Sequence, residues 1–467
     1  MHPTPGGGIT VVRAGRTAQS LRVRLSRKTS RNLKQNRMTH ELTFTDYAAR
    51  LRAFISHSSS VNPFETLALE LFQLQFQHNA AYRRLVIARG VVPEKVFAWR
   101  DIPAVPTGAF KELELTSLAP DERTACFFSS GTTEQRRSRH FHSAESLAVY
   151  EASLRPWFER HLLADLNDLM DEQLLGPLDK LPMLALTPPP TAAPNSSLVH
   201  MFDTVRREFG ARDSLFAGLV VVGQAPPPVA SPASAPACRT PSEGAWWTMT
   251  GEGASPTTVS ATGAWTLDLD SALFAIRKSM CANRPLMLLG TAFNFVHLLD
   301  HFATNNRRYK LARGSRVLET GGYKGQSREV PKAELHALIT KHLGIAPENI
   351  VTEYGMSELS SQAYDRVAGV QDQPPHSPTH PLTHSPAFHF PPWCRAQVIS
   401  PETGREVAEG ETGLLRIFDL ANVRSVLAIQ TEDLAVKRGD GFELLGRATQ
   451  AEPRGCSLMS LHTEALR

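Results

Sequence analysis

Phosphate chemistry is the first possibility raised by the sequence, in the segment FFSSGTTEQRRSRH at residues 127–140. Successive backbone N–H groups in a Gly-containing bend can converge on an anion, and Ser and Thr hydroxyls add donors without bulk. Ser129, Ser130, Thr132 and Thr133 surround Gly131 in this manner, and Arg136, Arg137 and Arg139 follow as candidate positive charge. Taken alone, the same residues also describe a solvated basic turn.

Two further segments extend the set. LETGGYKG at 318–325 is a second Gly-rich bend, with Gly321, Gly322 and Lys324 after the strand-like run SRVLET. VTEYGMSELSSQAYD at 351–365 then supplies Tyr354, Gly355 and Glu358. Adenine needs an aromatic or backbone platform, which Tyr354 offers, and a magnesium–nucleotide complex needs a carboxylate ligand, for which Glu358 is the candidate metal residue. Asp433 in QTEDLA, read as the end of a strand, can accept hydrogen bonds from two ribose hydroxyls, and Arg447 in LLGRA can lie against phosphates. Each residue singly is better explained by core packing or a surface ion pair. The whole set in this order is harder to dismiss, and it is compatible with a Mg2+–nucleotide site.

The elements that must hold these residues are legible from periodicity. Apolar positions recur at helical spacing from Leu42 to Val91, which predicts an N-terminal pair of helices covering a sheet. PLDKLPMLALTPPP at 177–190 and GLVVVG at 218–223 are short apolar runs stopped by Pro or Gly and read as buried strands. Between them, APNSSLVHMFDTVRREFG reads as a helix with Asn195 or Ser196 at its start and Gly210 at its end. This alternation predicts an α/β layered domain. After Phe390, short strand-like segments separated by Pro401-Glu402-Thr403-Gly404 and Gly439-Asp440-Gly441 predict a small antiparallel subdomain.

Composition bounds the rest. Residues 1–38 carry nine Lys or Arg and no acid; without them 41 basic residues face 46 acidic ones, a net charge of −5. That balance argues against a nucleic-acid-binding surface. The basic head is expected to be disordered or untranslated, with Met38 favoured as the start over an Arg- and Ser-rich transit peptide. Residues 39–392 are then the main domain and 393–467 the β-rich part. Pro-, Ser- and Ala-rich stretches at about 223–262 and at 370–392 read as surface insertions. The four histidines of the second (His376, His380, His384, His389) lack the Cys or carboxylate company of a metal site and read as a solvated loop. No apolar run reaches the ~18 residues that a membrane span needs, so none is expected. Cys126, Cys238, Cys281, Cys394 and Cys456 include no C-x-x-C pair. Neither zinc nor a disulfide framework is indicated, and a reducing cytoplasm fits. Cys126 and Cys281 read as small buried hydrophobes.

SSGTT, GGYKG, EYGMSE, TEDL and GR, in this order, resemble the motifs of the adenylate-forming superfamily of acyl and aryl ligases. NSSLVHM, LLGTAFNFVHLL, ETGGYKGQSRE, EYGMSELSSQ and RGCSLM more closely resemble the acyl-protein synthetase (LuxE) family of bacterial luminescence. The resemblance runs from about Phe44 to the C-terminus apart from the two insertions. It implies an adenylate-forming core with a small mainly β C-terminal part, activation of a long-chain fatty acid by ATP as an acyl-adenylate, and transfer to a cysteine thiol. Family members carry an acylated cysteine near the C-terminus, and Cys456 beside Arg454 occupies that place; a neighbouring cation favours the nucleophilic thiolate. An acyl reductase or acyl transferase is the implied partner. Two departures are noted: Glu134 and arginines occupy the place where the superfamily has Gly and Lys, and the lysine-bearing C-terminal domain of larger superfamily members is not expected in a sequence that stops at Arg467. Lys324 or a loop arginine is therefore the candidate to assist adenylation. Two other readings stay open, a ligase that loads coenzyme A or a carrier protein and an inactive nucleotide-binding partner subunit. GTAFNFVHLL is a candidate wall of the acyl pocket or simply a core helix.

Overall fold

A computed structural model describes residues 42–56, 63–129, 136–165, 180–220, 265–321, 330–370 and 387–448. Three helices come first: α1 (Phe44–Ser56), α2 (Phe64–His78) and α3 (Ala80–Ala88). They are followed by β1 (Val105–Pro106), the hairpin strands β2 (Ala125–Phe128) and β3 (Arg139–His142), and helix α4 (Ala144–Leu162). The central run is β4 (Met183–Ala185), α5 (Ser197–Phe209), β5 (Leu215–Phe216), β6 (Gly218–Val220), β7 (Trp265–Leu267), α6 (Leu269–Cys281) and β8 (Met287–Thr291). It continues with α7 (Ala292–Thr304), β9 (Arg316–Thr320), α8 (Lys332–Leu343), β10 (Ile350–Tyr354) and β11 (Ala363–Tyr364). Last come β12 (Cys394–Ile399), β13 (Thr412–Asp419), β14 (Ala428–Arg438) and β15 (Gly441–Arg447).

The larger sheet has six strands in the order β11-β10-β9-β8-β4-β5, all parallel except β11. Helices α6, α7 and α8 bury one face of it, and α4 and α5 bury the other. This is the layered α/β arrangement that the alternating pattern predicts, because parallel strands covered on both faces must be apolar throughout. The second sheet joins β12, β13, β14 and β15 in antiparallel pairs, with β1 parallel to β14. Its core is shared with α1, α2 and α3, so the first and last described parts of the chain pack together.

Local signals account for the boundaries. Ser196 caps α5 by accepting from the Val199 N–H, and Gly210 ends it. Ser143 and Thr291 cap α4 and α7 in the same way, through the N–H groups of Ser146 and Asn294. Three expectations are corrected. GLVVVG does not form a buried strand: its described residues form β6, paired only with β7, where Leu219 is exposed. An apolar run cannot report whether a second layer covers it. Cys281 sits exposed at the end of α6, while Cys126 is half-buried. Asp433 lies inside β14 rather than at its end. Among the described residues, no helix is long and apolar enough to cross a membrane.

Candidate functional site

The carboxyl ends of β8, β9 and β10 are in register, with Thr291 opposite Thr320 and Thr320 opposite Glu353. Ligand sites of open parallel sheets form at such an edge, where the loops leave the sheet. Gly321 follows β9 with φ of +66°, a backbone state that only glycine adopts without strain. Tyr354 is the last residue of β10, and its Oη donates to Asp433 Oδ2 at 2.7 Å, linking the two sheets. Arg447 stands opposite Asp433 across β14 and β15, with Nε 3.6 Å from Oδ1. Burial raises the Asp433 pKa, while the Tyr354 hydroxyl and Arg447 oppose the rise. The Tyr354 phenol is held well above its ordinary range by burial and then by Asp433, so it is a neutral donor. Phe388, Phe390 and Phe442 meet its ring at 5.3 to 6.2 Å in edge-on contacts.

Glu358 is brought beside the base of the Ser-rich loop. Ser129 and Ser138 close that base: the Ser138 N–H donates to Ser129 Oγ at 3.0 Å, and the Ser129 N–H donates to the Ser138 carbonyl at 3.2 Å. Ser138 Oγ donates to Glu358 Oε1 at 2.5 Å and Ser357 Oγ to Oε2 at 2.9 Å, so each carboxylate oxygen has a hydroxyl donor. Beneath them, His140 Nδ1 lies 2.9 Å from the Ser357 carbonyl. A carbonyl only accepts, so Nδ1 carries the proton, and burial pushes the His140 pKa down to about 4. Arg136 and Arg139 form exposed ion pairs with Glu112 at 3.2 Å and Glu114 at 2.9 Å. Exposed pairs contribute only ~0–1 kcal/mol, so an arriving phosphate could compete for either guanidinium. Ser130, Gly131, Thr132, Thr133, Gly322, Lys324 and Cys456 lie outside the described residues.

A pocket of about 170 Å³ adjoins this edge, lined by Ala292, Glu319, Gly321, Lys332, Thr352 and Phe388 among others. Ala292 is the first residue of α7, so GTAFNFVHLL contributes to a wall while most of its apolar side chains fill the core. Among the described residues, no group of three His, Cys, Asp or Glu is placed to hold a metal ion. A single carboxylate with hydroxyl neighbours still suits Mg2+, which keeps several waters and takes most other oxygens from substrate phosphates.

Sequence reasoning missed Ser138, Glu319, Thr352 and Glu353. The signal available was a single Glu beside the apolar pair of each of two strand-like runs, SRVLET and NIVTEY, since a buried polar residue is the informative one. Glu353 points away from the pocket's Thr352 and accepts from Thr320 Oγ1; burial raises its pKa to about 7. A Cβ on Gly355 would come within 2.2 Å of Glu353 Oε1, so a side chain there would displace the Glu353 carboxyl.

Among known proteins, the family described as "Acyl-protein synthetase, LuxE" matches residues 254–465 of this chain. The long-chain-fatty-acid–luciferin-component ligase of Aliivibrio fischeri is 25% identical over 198 residues, 40% of this chain and 47% of that protein. The protein of the same name from Vibrio harveyi is 20% identical over 202 residues, 41% of this chain and 49% of its own length. The chain thus spans about half the length of the curated relatives it matches. A solved 2-hydroxyisobutyryl-CoA ligase, in complex with 2-HIB-AMP and CoA, aligns with 82% of this chain and 69% of its own, at 10% identity and a TM-score of 0.48. The segment that carries β7 to β15, including Gly321, Tyr354, Glu358, Asp433 and Arg447, is therefore the part of this protein that matches the acyl-protein synthetase, LuxE, family.

Proposed function

We propose that this protein is an ATP-dependent acyl-protein synthetase, activating a long-chain fatty acid as its acyl-adenylate and passing the acyl group to Cys456 as a thioester. The observation that carries the reading is the family match over residues 254–465, which spans the strand ends where Tyr354, Glu358 and Asp433 gather. In the first step a carboxylate oxygen of the acid attacks the α-phosphorus of ATP and pyrophosphate leaves. In the second the Cys456 thiolate attacks the acyl carbonyl and AMP leaves, a far better leaving group than hydroxide.

The roles follow from residue chemistry. Ser129, Ser130, Gly131, Thr132 and Thr133 hold the phosphates through N–H and hydroxyl donors, aided by Arg136 or Arg139 after exchange of its glutamate partner. Glu358 holds Mg2+, which neutralises phosphate charge. Asp433 accepts from the ribose hydroxyls, Gly321 and Gly322 leave room for the base, and Arg447 and Lys324 offset charge developing at the α-phosphate. A fatty-acid substrate, a reductase or transferase partner and a cytoplasmic setting belong to the same reading.

The test is acid-dependent pyrophosphate exchange together with the intact mass of the protein after incubation with ATP and mixed fatty acids. Expected are exchange and an added acyl mass, and in Cys456→Ser exchange persists while the added mass disappears. Transfer to free coenzyme A or a carrier protein by Cys456→Ser would replace the protein-thioester reading with the loading of another thiol. Absence of exchange with every acid would leave a nucleotide-binding partner subunit.

A further inference from the structure

The pocket beside Gly321 holds polar groups that the described residues leave without a hydrogen bond. Glu319 is 4% exposed and stands on β9 opposite Thr352 of β10, so both side chains project to the same face. His336 Nε2 lies 3.6 Å from Glu319 Oε2, longer than a hydrogen bond. Among the described residues, His336 Nε2 and Thr352 Oγ1 have no hydrogen-bond partner. Lys332 is already engaged, with Nζ 2.9 Å from Asp365 Oδ2 and 5.1 Å from the centre of the Phe388 ring. No described residue is placed within hydrogen-bond distance of the Glu319 carboxylate, and a buried carboxylate without donors costs several kcal/mol, a cost that a donor on a ligand removes.

The surroundings define that ligand. Ala292, Phe388 and Leu444 give apolar walls, and the backbone of Gly321 gives a flat one with nothing within 4 Å of where its Cβ would be. Such walls suit a planar ring. An ionised carboxylate only accepts hydrogen bonds, so the edge facing Glu319 must donate, while the neighbouring Thr352 hydroxyl can donate to a ring nitrogen. Adenine presents this combination, an exocyclic amine flanked by two acceptor nitrogens. Guanine and hypoxanthine present a carbonyl oxygen in the same place, which would set acceptor against acceptor.

We propose that Glu319 is a specificity-determining residue that reads the exocyclic amine of the nucleotide base, selecting adenine over 6-oxopurines. The inference rests on the ATP-using function proposed above. It is tested on the full chain by calorimetric titration with ATP and ITP in the absence of fatty acid. Wild type is expected to bind ATP ~100-fold more tightly than ITP, the scale of one buried polar group left unpaired. Glu319→Gln, whose amide can either donate or accept, should bring the two nucleotides to within ~10-fold of each other. Glu319→Leu should weaken ATP without improving ITP, with far-UV circular dichroism showing that both variants fold. If wild type binds ATP but Glu319→Gln keeps the ATP-to-ITP ratio, the assignment of Glu319 fails while the activation reading survives. If wild type binds neither nucleotide, the activation reading fails and the assignment falls with it.

Discussion

Glu353 and His140 are buried titratable residues whose effects on stability run in opposite directions. Burial lifts the Glu353 carboxyl from 4.5 to about 7, so between those values the folded chain keeps a proton that the unfolded chain releases. Stability therefore falls as pH rises through that window, by roughly 3 kcal/mol once the window is crossed. His140 drops from 6.5 to about 4, so there the unfolded chain holds the extra proton and stability falls as pH decreases. Glu353→Gln keeps a group that can bond Thr320 Oγ1 and removes the ionisation. It should gain up to roughly 3 kcal/mol at pH 8 and little at pH 5 in urea unfolding. An equal change at both pH values would mean that Glu353 does not titrate as its burial demands.

At the level of elements, the sequence is legible where the cause is local. The Ser196 cap and Gly210 stop of α5 lie where the chain signals them, and β9 and β10 follow from the runs before GG and YG. What joins those elements is not local. Ser138 and Glu358 are 220 residues apart and no periodicity links them, yet their contact fixes the return limb of the Ser-rich loop over the end of β10. The misread GLVVVG has the same explanation from the other side, since burial is decided by which distant element covers a strand. Ser138→Ala removes a hydroxyl donor from a buried carboxylate, a loss of ~1–3 kcal/mol. It should also let the β2–β3 limb move away from Glu358. The expected outcome is pyrophosphate exchange reduced several-fold in a protein that melts a few degrees lower, and unchanged exchange would separate the hairpin from the nucleotide.

Across the whole molecule, composition and turn signals suggest a boundary near residue 392, but the contacts made by the β-rich part extend in both directions. Gln75 of α2 donates to the Asn422 carbonyl at 2.7 Å and accepts from the Leu427 N–H at 2.9 Å, tying the first helices to the β13–β14 connection. Asp419 at the end of β13 accepts from the Ser360 N–H and Ser361 Oγ, reaching the segment that follows β10. Trp393 Nε1 donates to Ser153 Oγ of α4 at 2.7 Å, and Ser153 meets Ser361 at 3.0 Å. The antiparallel sheet is thus bonded to both ends of the chain's order, and the described parts should unfold as one cooperative unit. Gln75→Leu strands a buried N–H and a buried carbonyl, each worth ~1–3 kcal/mol. In hydrogen exchange under mildly destabilising conditions, amides of β9 should accelerate by the same factor as those of β13, although Gln75 touches neither strand. Acceleration confined to residues 412–447, with β8 to β10 unchanged, would restore the β-rich part as an independently stable subdomain.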